Sequence, residues 1–308
     1  MTGKRIIAVG HAALDYVYRI AKFPSAPTKL RAIEHIASGG GMAANAAATI
    51  ARLGGKVSLW SRIGSDDAGG IIVQQLRRAG VDAKHVRAFA STRSPTAAVI
   101  VDEHGERLIV SEDDHNLPLE EDWLPVLDVE TASVVYSDLT WLEGTLLAFN
   151  AARTHGIPTV LDIDLGSGML LSKVIGLTDY AIFSAPAFRQ FVHGDSDDER
   201  LAHLIRTGVL HAGVTLGAKG YHWMNKEGVK KKQHPFPVET VDSTGAGDAF
   251  HGAFTWALAA GHDEIECARI ASAAAALSCR KLGARAGLPT KAELHEFLRA
   301  QEHDKTQD

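Results

Sequence analysis

The residues best suited to chemistry lie in one glycine-rich turn, Val241-Asp242-Ser243-Thr244-Gly245-Ala246-Gly247-Asp248-Ala249-Phe250. Gly245, Ala246 and Gly247 leave the backbone unobstructed, so that consecutive N–H groups can point at one anion. An Ala-rich apolar stretch follows from Ala249, and the start of a helix adds partial positive charge at the same place. The pattern suits a phosphate group on which negative charge moves during transfer.

Asp248 stands at the mouth of this predicted phosphate cradle, where a carboxylate would repel the phosphate. Taking a proton from an attacking hydroxyl group would give the carboxylate a chemical role there. In the alternative interpretation, Asp248 only favours the positive end of the helix dipole, and Ser243 and Thr244 cap the helix. The spacing of the turn by itself leaves both interpretations open.

Alternating strands and helices must position this turn. Strands are predicted at residues 5–9, 56–61, 132–137, 157–163, 180–184 and 211–216, and helices at 42–53, 67–79, 141–155, 198–207, 246–261, 264–281 and 290–302. Continuous apolar strands separated by helices indicate a parallel sheet that is covered on both faces. The sequence therefore predicts an α/β fold with a single domain over residues 1–308.

Two stretches, residues 14–36 and 94–112, break the alternation because no helix follows them directly. In the second stretch, two strand-like runs flank Asp102-Glu103-His104-Gly105, which is a good hairpin signal. The two stretches could form a small separate sheet. It would serve as a lid or a dimer interface, or it would be an ordinary extension of the main sheet's edge.

Composition excludes several classes of protein. The net charge of −5 gives no basic surplus of the kind that nucleic-acid binding needs. The sequence has no apolar run of membrane-spanning length, and the first apolar run, residues 6–9, is too short for a secretory signal. We therefore expect a cytoplasmic protein that binds neither membranes nor nucleic acid.

Residues 241–250 resemble the second signature of the ribokinase/PfkB family of carbohydrate kinases, Asp-Thr-x-Gly-Ala-Gly-Asp-x-Phe, with Ser243 as a mild departure. The resemblance implies a ribokinase-like three-layer α/β/α sandwich with a mostly parallel central sheet and a small β-sheet lid. It also implies an ATP-dependent kinase that phosphorylates a hydroxyl group of a small sugar. In that reading Asp248 is the catalytic base.

The resemblance assigns further roles within the same turn. Gly245, Ala246 and Gly247 would form the anion hole. Asp242 and Thr244 match positions that help to hold a monovalent cation such as K+ beneath that hole in many members of the family.

A second match lies near the N-terminus, where Gly39-Gly40-Gly41-Met42-Ala43-Ala44-Asn45 resembles the first family signature. Glycines let the main chain approach a ligand closely, and the Asn45 side chain offers both a donor and an acceptor to a hydroxyl group. Asp15 matches an aspartate that accepts hydrogen bonds from sugar hydroxyls, although it could also be a helix cap or a surface residue. The predicted sugar contacts are Asp15, Gly40, Gly41, Asn45 and Arg107.

For the nucleotide, Thr215-Leu216-Gly217-Ala218-Lys219-Gly220 resembles the family's nucleotide-side turn, so Thr215, Gly217 and Gly220 are predicted to contact ATP. The glycine spacing is not that of a Walker P-loop, and no Gly-x-Gly-x-x-Gly follows the first strand. Both observations argue against the other common nucleotide-binding folds.

The expected magnesium pattern is incomplete. Many family members carry Asn-x-x-Glu where this chain has Ser184-Ala185-Pro186-Ala187. Asp162 and Asp164, at the end of the preceding predicted strand, could partly replace it, or they could simply be polar residues that close a strand. Mg2+ is still expected because ATP brings it.

The acceptor is the least determined feature. The region around Arg107 resembles the ketohexokinase and sulfofructose-kinase branch, and Arg107 could bind an acidic group or be a strand-surface arginine. Thr140 stands where the sulfonate-binding arginine is expected, whereas Lys29 could still meet an anion. A neutral ketose such as fructose is therefore the first choice, with a sulfonated or acidic sugar or a nucleoside as alternatives.

Two further hypotheses concern the protein as a whole. The missing Asn-x-x-Glu also fits a non-catalytic regulator that binds a sugar or a nucleotide on the same fold, although the intact Asp248 turn argues against it. If the two exceptional stretches form a small sheet, its outer face would need cover. A homodimer through this lid is expected.

Overall fold

The structure is a computed structural model that describes residues 5–112, 116–166 and 168–304. The extreme ends of the predicted 1–308 domain therefore lie outside the described residues. In chain order, the strands are β1 (Arg5–Val9), β2 (Ala13–Arg19), β3 (Glu34–Gly40), β4 (Val57–Gly64), β5 (Asp82–Phe89), β6 (Thr96–Val101), β7 (Arg107–Glu112), β8 (Ala132–Ser137), β9 (Thr159–Ile163), β10 (Tyr180–Ser184), β11 (His211–Thr215), β12 (Tyr221–Asn225) and β13 (Lys230–Gln233).

The α-helices connect these strands or follow them. They are α1 (Met42–Arg52), α2 (Asp67–Arg78), α3 (Leu142–His155), α4 (Leu171–Val174), α5 (Ala185–Phe191), α6 (Asp197–Arg206), α7 (Ala246–Ala259), α8 (Glu264–Ser278) and α9 (Lys291–Asp304).

Nine strands form the larger sheet, in the order β13-β12-β11-β10-β9-β8-β1-β4-β5. Neighbouring strands from β11 through β5 pair in parallel, whereas β12 pairs antiparallel with both β11 and β13. The fold class is confirmed as α/β with a mostly parallel central sheet. All six predicted strands and all seven predicted helices are present, and no end differs from its prediction by more than three residues.

Alternate residues of the central strands enter two separate cores, as the two-residue period of a strand requires. In β1, Ile6 and Ala8 pack with α1, α7 and α8, whereas Ile7 and Val9 pack with α3, α5 and α6 on the opposite face. These residues are almost completely buried. Helices therefore cover both faces, and the predicted three-layer arrangement is confirmed.

The second sheet has four strands in the order β3-β2-β6-β7 and contains both exceptional stretches of the sequence. β6 and β7 form the predicted hairpin around Asp102, whose amide donates to the Glu106 carbonyl at 3.0 Å. On one face, Val17 and Val99 pack against Leu282, which follows α8. This packing fixes the second sheet against the body of the protein.

In the parts of the chain that the structure describes, every helix is too short or too polar to span a lipid bilayer. The cytoplasmic location stays a prediction.

Candidate active site

The site lies at the carboxyl edge of the large sheet, where the ends of parallel strands meet. Asp138, directly after β8, holds this edge together. Its carboxylate accepts hydrogen bonds from the amides of His11 and Ala43, each at 2.8 Å, and from Thr140. Asp138 is fully buried, and its hydrogen bonds join the turn after β1 to the start of α1. A Cβ on Gly10 would lie 2.0 Å from an Asp138 oxygen.

Asp248 occupies the first turn of α7. This helix starts at Ala246, directly after Gly245, whose φ of 74° lies in the left-handed region that favours glycine. Asp248 Oδ2 accepts a hydrogen bond of 2.7 Å from Asn45 Nδ2 in α1. The two signature segments predicted from the sequence therefore meet through side chains that are 203 residues apart.

Burial and, to a smaller extent, the nearby Asp162 carboxylate raise the pKa of Asp248 to about 7, while the Asn45 bond opposes the shift. Asp162 itself lies deep in the protein. It accepts from the Tyr136 hydroxyl at 3.0 Å and lies 3.2 Å from His251 Nδ1. Desolvation raises the pKa of Asp162 well above its ordinary value. Asp162, Tyr136 and His251 thus form a buried polar cluster near Asp248.

Asp15, on β2, lies against Gly40 of β3, where an added Cβ would be 2.1 Å from its carboxylate. Only 7% of Asp15 is exposed. Burial raises its pKa to about 6, and the positive charge of Arg285 counteracts part of that rise. Gly41 caps α1 with a φ of 85°, and a Cβ there would meet the His11 carbonyl at 2.6 Å. These glycines are therefore required by close packing.

Arg285 is a site residue that the sequence reasoning missed. Its Nε donates to Asn45 Oδ1 at 2.7 Å, and its Nη2 donates to the Gly40 carbonyl at 3.0 Å. The available signal was its setting, because it is the one charged residue among the small and apolar residues 282–289. A cation in such a stretch has to find polar partners in the fold. Arg285 thus bonds Gly40 and Asn45, and the charges of Asp15 and Asp248 act on its guanidinium.

The predicted anion hole lies at the N-terminus of α7. The Ala246 amide donates to the Ser243 carbonyl at 3.2 Å, and the Ala249 amide continues the helix by donating to Gly245. A Cβ on Gly247 would have no neighbour within 4 Å among the described residues. The first turn of the helix is therefore open on its outer side, where an anion could approach.

The predicted cation residues lie beneath that turn and are buried. Asp242 accepts from the Thr244 amide and from the Gly283 amide, each at 2.8 Å. Within the described residues, the buried Thr244 Oγ1 has no hydrogen-bond partner. The unpartnered hydroxyl oxygen of Thr244 and the buried carboxylate of Asp242 are oxygen ligands of the kind that fits a monovalent cation.

The predicted nucleotide turn joins β11 to β12. Thr215 Oγ1 donates to the Phe183 carbonyl at 3.2 Å, and the Leu216 amide donates to the Gly220 carbonyl at 2.8 Å. Gly217 and Gly220 have φ values of 56° and 91°. A Cβ on Gly220 would lie 2.2 Å from the Gln233 carbonyl, so the turn depends on glycine there.

The two predicted magnesium residues differ in how exposed they are. Asp164 is partly exposed and accepts from Ser184 Oγ at 2.7 Å, whereas Asp162 is enclosed by protein partners. The described residues contain no group of three metal-binding side chains. Arg107, at the start of β7, donates to the Ser243 hydroxyl. It is exposed and borders the Asp248 turn from the second sheet.

A family model described as "pfkB family carbohydrate kinase" matches residues 4–291. The chain belongs to the pfkB family of carbohydrate kinases. It is therefore an ATP-dependent carbohydrate kinase, and the predicted family and enzyme class are confirmed.

Named relatives of this pfkB kinase include a ribokinase of Haemophilus influenzae, 29% identical over 96% of this chain and 98% of that protein. Another is named probable fructokinase-4 of Arabidopsis thaliana, 28% identical over 96% of each chain. A crystal structure from Agrobacterium tumefaciens, provisionally named a ribokinase, has a TM-score of 0.92 and 32% identity. It covers 98% of this chain and 99% of its own.

Proposed function

We propose that this pfkB kinase transfers the γ-phosphate of ATP to a hydroxyl group of a small neutral sugar, with ribose and fructose as the first candidates. The observation that carries the proposal is the bond between Asn45 and Asp248. It holds a carboxylate with a pKa of about 7 at the start of a helix that can receive a phosphate. The names of the ribokinase and fructokinase relatives support the choice of sugars.

In the proposed reaction, Asp248 Oδ2 is held by Asn45, and Oδ1 accepts no hydrogen bond from the residues that the structure describes. Oδ1 takes the proton of the acceptor hydroxyl. The hydroxyl oxygen forms a bond to the γ-phosphorus, the bond from that phosphorus to the bridging oxygen breaks, and ADP leaves with the electron pair. The amides and dipole at the N-terminus of α7 stabilise the transferring phosphoryl group.

Asp15 would accept hydrogen bonds from the other sugar hydroxyls. Gly40 and Gly41 would form the close wall beside it. Asp15 and Asp248 are two acidic groups beside the cation Arg285, so an anionic substituent near them would be repelled. This charge balance favours a neutral sugar over an acidic or sulfonated one, with Arg107 at the rim as the site for the alternative.

For the nucleotide, we propose that Thr215, Gly217 and Gly220 contact ATP through the turn after β11. Mg2+ supplies charge neutralisation of the phosphates when it is bound with ATP. Asp164 fits a role near it better than Asp162, because Asp164 is partly exposed at the carboxyl edge whereas Asp162 is enclosed. Asp242 and the orphaned Thr244 hydroxyl would help to hold K+ beneath the anion hole.

A panel assay of ADP release tests the proposal. The panel contains ribose, fructose, other aldoses and ketoses, sugar acids, a sulfonated sugar and nucleosides, each with Mg-ATP. We expect turnover with a neutral sugar and much weaker turnover with the others. Preference for a nucleoside or a sulfonated sugar would overturn the substrate assignment. Silence across the panel, together with tight binding of a sugar or nucleotide by calorimetry, would favour a regulator.

We also propose a homodimer through the second sheet. Its outward face carries two neighbouring rows of side chains that run across three strands. In one row Tyr16 pairs with Ala98, which pairs with Val110, and in the other Tyr18 pairs with Ile100, which pairs with Leu108. Val110 is 61% exposed and Leu108 is 50% exposed, and such a continuous apolar face is typical of an interface.

Light scattering at micromolar concentration should give twice the chain mass, and Val110→Glu should give a monomer. Thr154→Glu on α3, which is exposed on the body of the protein, is the control and should stay dimeric. A monomeric wild-type protein would contradict the proposal.

A further inference from the structure

Arg285 reaches the site from the segment between α8 and α9. Its planar guanidinium fills the space that the glycines of β3 leave open, since a Cβ on Gly39 would lie 2.0 Å from Nη1. Nη2 bonds the Gly40 carbonyl and Nε bonds Asn45 Oδ1. The guanidinium is therefore held from two sides, by the backbone of the second sheet and by the side chain of α1.

The bond to Arg285 decides which way the Asn45 amide faces. A guanidinium has donors and no acceptor, so only the carbonyl oxygen of the amide can face it. The amide's NH2 group must then face the other way, and there it donates to Asp248 Oδ2 at 2.7 Å. Without Arg285, the amide could rotate and present its oxygen to a carboxylate, an arrangement without a hydrogen bond.

We propose that Arg285 is a positioning residue of the phosphoryl transfer. It fixes the Asn45 amide so that Asp248 Oδ2 is held and Oδ1 remains directed to the acceptor hydroxyl. This inference rests on the proposed role of Asp248 as the base. It assigns a role in the reaction to a residue outside both signature segments.

The charges around Asp248 support this role. Asp162 from β9 and Asp138 from the turn after β8 both disfavour its ionised form, and His251, on α7 itself, favours it when protonated. Burial lowers the pKa of His251, so this imidazole is largely neutral at neutral pH. Burial also lowers the pKa of Arg285, but only to about 10, with the charges of Asp15 and Asp248 opposing the shift. Arg285 thus stays a cation while Asp248 titrates.

The first test is a direct titration of Asp248 in the intact protein. In protein labelled with 13C at aspartate carboxyl carbons, the Asp248 signal is the one that Asp248→Asn removes. Arg285→Met should raise the pKa of Asp248 by about half a unit or more, because it removes a cation and frees the amide. Arg285→Lys should give a smaller rise. An unchanged pKa in folded Arg285→Met would overturn the inference.

Arg52→Met is the matched control. Arg52 also lies on α1, and its Nε donates to the Leu288 carbonyl in the same segment between α8 and α9, at 3.3 Å. It therefore ties the same two elements together without contacting Asn45 or Asp248. Because Arg52 is exposed, its replacement should change thermal stability only slightly and leave the Asp248 titration where it was.

Steady-state kinetics give the second readout. Arg285→Met should lower kcat about tenfold or more, with a smaller change in the KM of the sugar, since a misplaced base affects the transition state most. Arg285→Lys should recover part of kcat. An increase in KM alone would make Arg285 a binding residue and contradict the positioning role.

The two readouts separate this inference from the proposed function. If the wild-type protein released no ADP with any acceptor, the proposed function would fail, and the titration would still decide whether Arg285 orients Asn45 against Asp248. If Arg285→Met did not fold, as judged by its melting curve, Arg285→Lys would carry both readouts. An Asp248 pKa and a kcat equal to those of the wild type would then overturn the inference.

Discussion

On the proposed acceptor side of the site, side chains from α1, α7 and the segment after α8 bond directly to one another. The proposed nucleotide side is instead a turn held mainly by its own backbone. Arg285, Asn45 and Asp248 form a chain of two hydrogen bonds of 2.7 Å. Between Thr215 and Gly220, the structure shows backbone bonds and two glycines in the left-handed region. The proposed acceptor side therefore fixes the position of the proposed base, whereas the proposed nucleotide side depends on the backbone conformation of one turn.

This difference predicts which kinetic constant a substitution on each side should change. Changes on the acceptor side should act on kcat, or on kcat and sugar affinity together, because one displaced side chain moves the base. Changes in the nucleotide turn should act on the KM of ATP with kcat nearly unchanged, because such contacts are made equally in the ground and transition states.

The largest effect is expected from Asp248→Asn. The amide cannot take the acceptor proton, so kcat should fall about 10²- to 10⁴-fold, the usual contribution of a general base. Calorimetry should show the affinities for ATP and sugar within a few-fold of the wild type. A kcat within tenfold of the wild type would remove Asp248 from the mechanism.

A smaller effect is expected from Gly40→Ala, which would place a methyl group 2.1 Å from the Asp15 carboxylate. Asp15 must move, so the KM of the sugar should rise about tenfold and kcat should fall as well. Gly70→Ala is the control, because a Cβ there has no neighbour within 4 Å among the described residues. Equal behaviour of the two variants would show that Asp15 is not a sugar contact.

The smallest effect is expected on the nucleotide side. Gly220→Ala combines a left-handed φ of 91° with a Cβ 2.2 Å from the Gln233 carbonyl. The turn should shift, and the KM of ATP should rise by roughly three- to tenfold with kcat nearly unchanged. Gly228→Ala, in the turn between β12 and β13, is the matched control, with a φ of 76° and no neighbour within 4 Å in the described chain. A fall in the kcat of Gly220→Ala without a change in its KM for ATP would contradict the expectation that the nucleotide turn acts on ATP affinity.

Local sequence patterns were sufficient for the elements that carry a strong signal. The apolar runs of β1, β8 and β10 and the periodic helices fixed the three-layer fold, and the turn at Gly245 was placed correctly at the start of α7. The polar strand β13, Lys230–Gln233, was not predicted, because three lysines give no strand signal and only pairing with β12 orders them. The short helix α5 was also missed, although Ser184 caps it.

Within the site, Asp248, Asn45 and Asp15 were predicted because each lies in a segment that resembles a family motif. The setting of Arg285 indicates only that it needs polar partners. The contacts of Arg285 and Asp138 could not be predicted, because their partners are 240 and 127 residues away. No local signal shows that a guanidinium will fill the space beside Gly39. Likewise, the sequence does not show that Asp162 turns inward to Tyr136 while Asp164 stays partly exposed.

The most direct test of the central claim, that Asp248 is the base, is the pH dependence of kcat/KM for the best acceptor at saturating Mg-ATP. This ratio reports ionisations of the enzyme before the acceptor binds. The raised pKa of about 7 means that Asp248 gains a proton as the pH falls through neutrality, so activity should decline there. Asp15, with a pKa of about 6, should steepen the decline. A value of kcat/KM that stays constant down to about pH 5 would contradict the account.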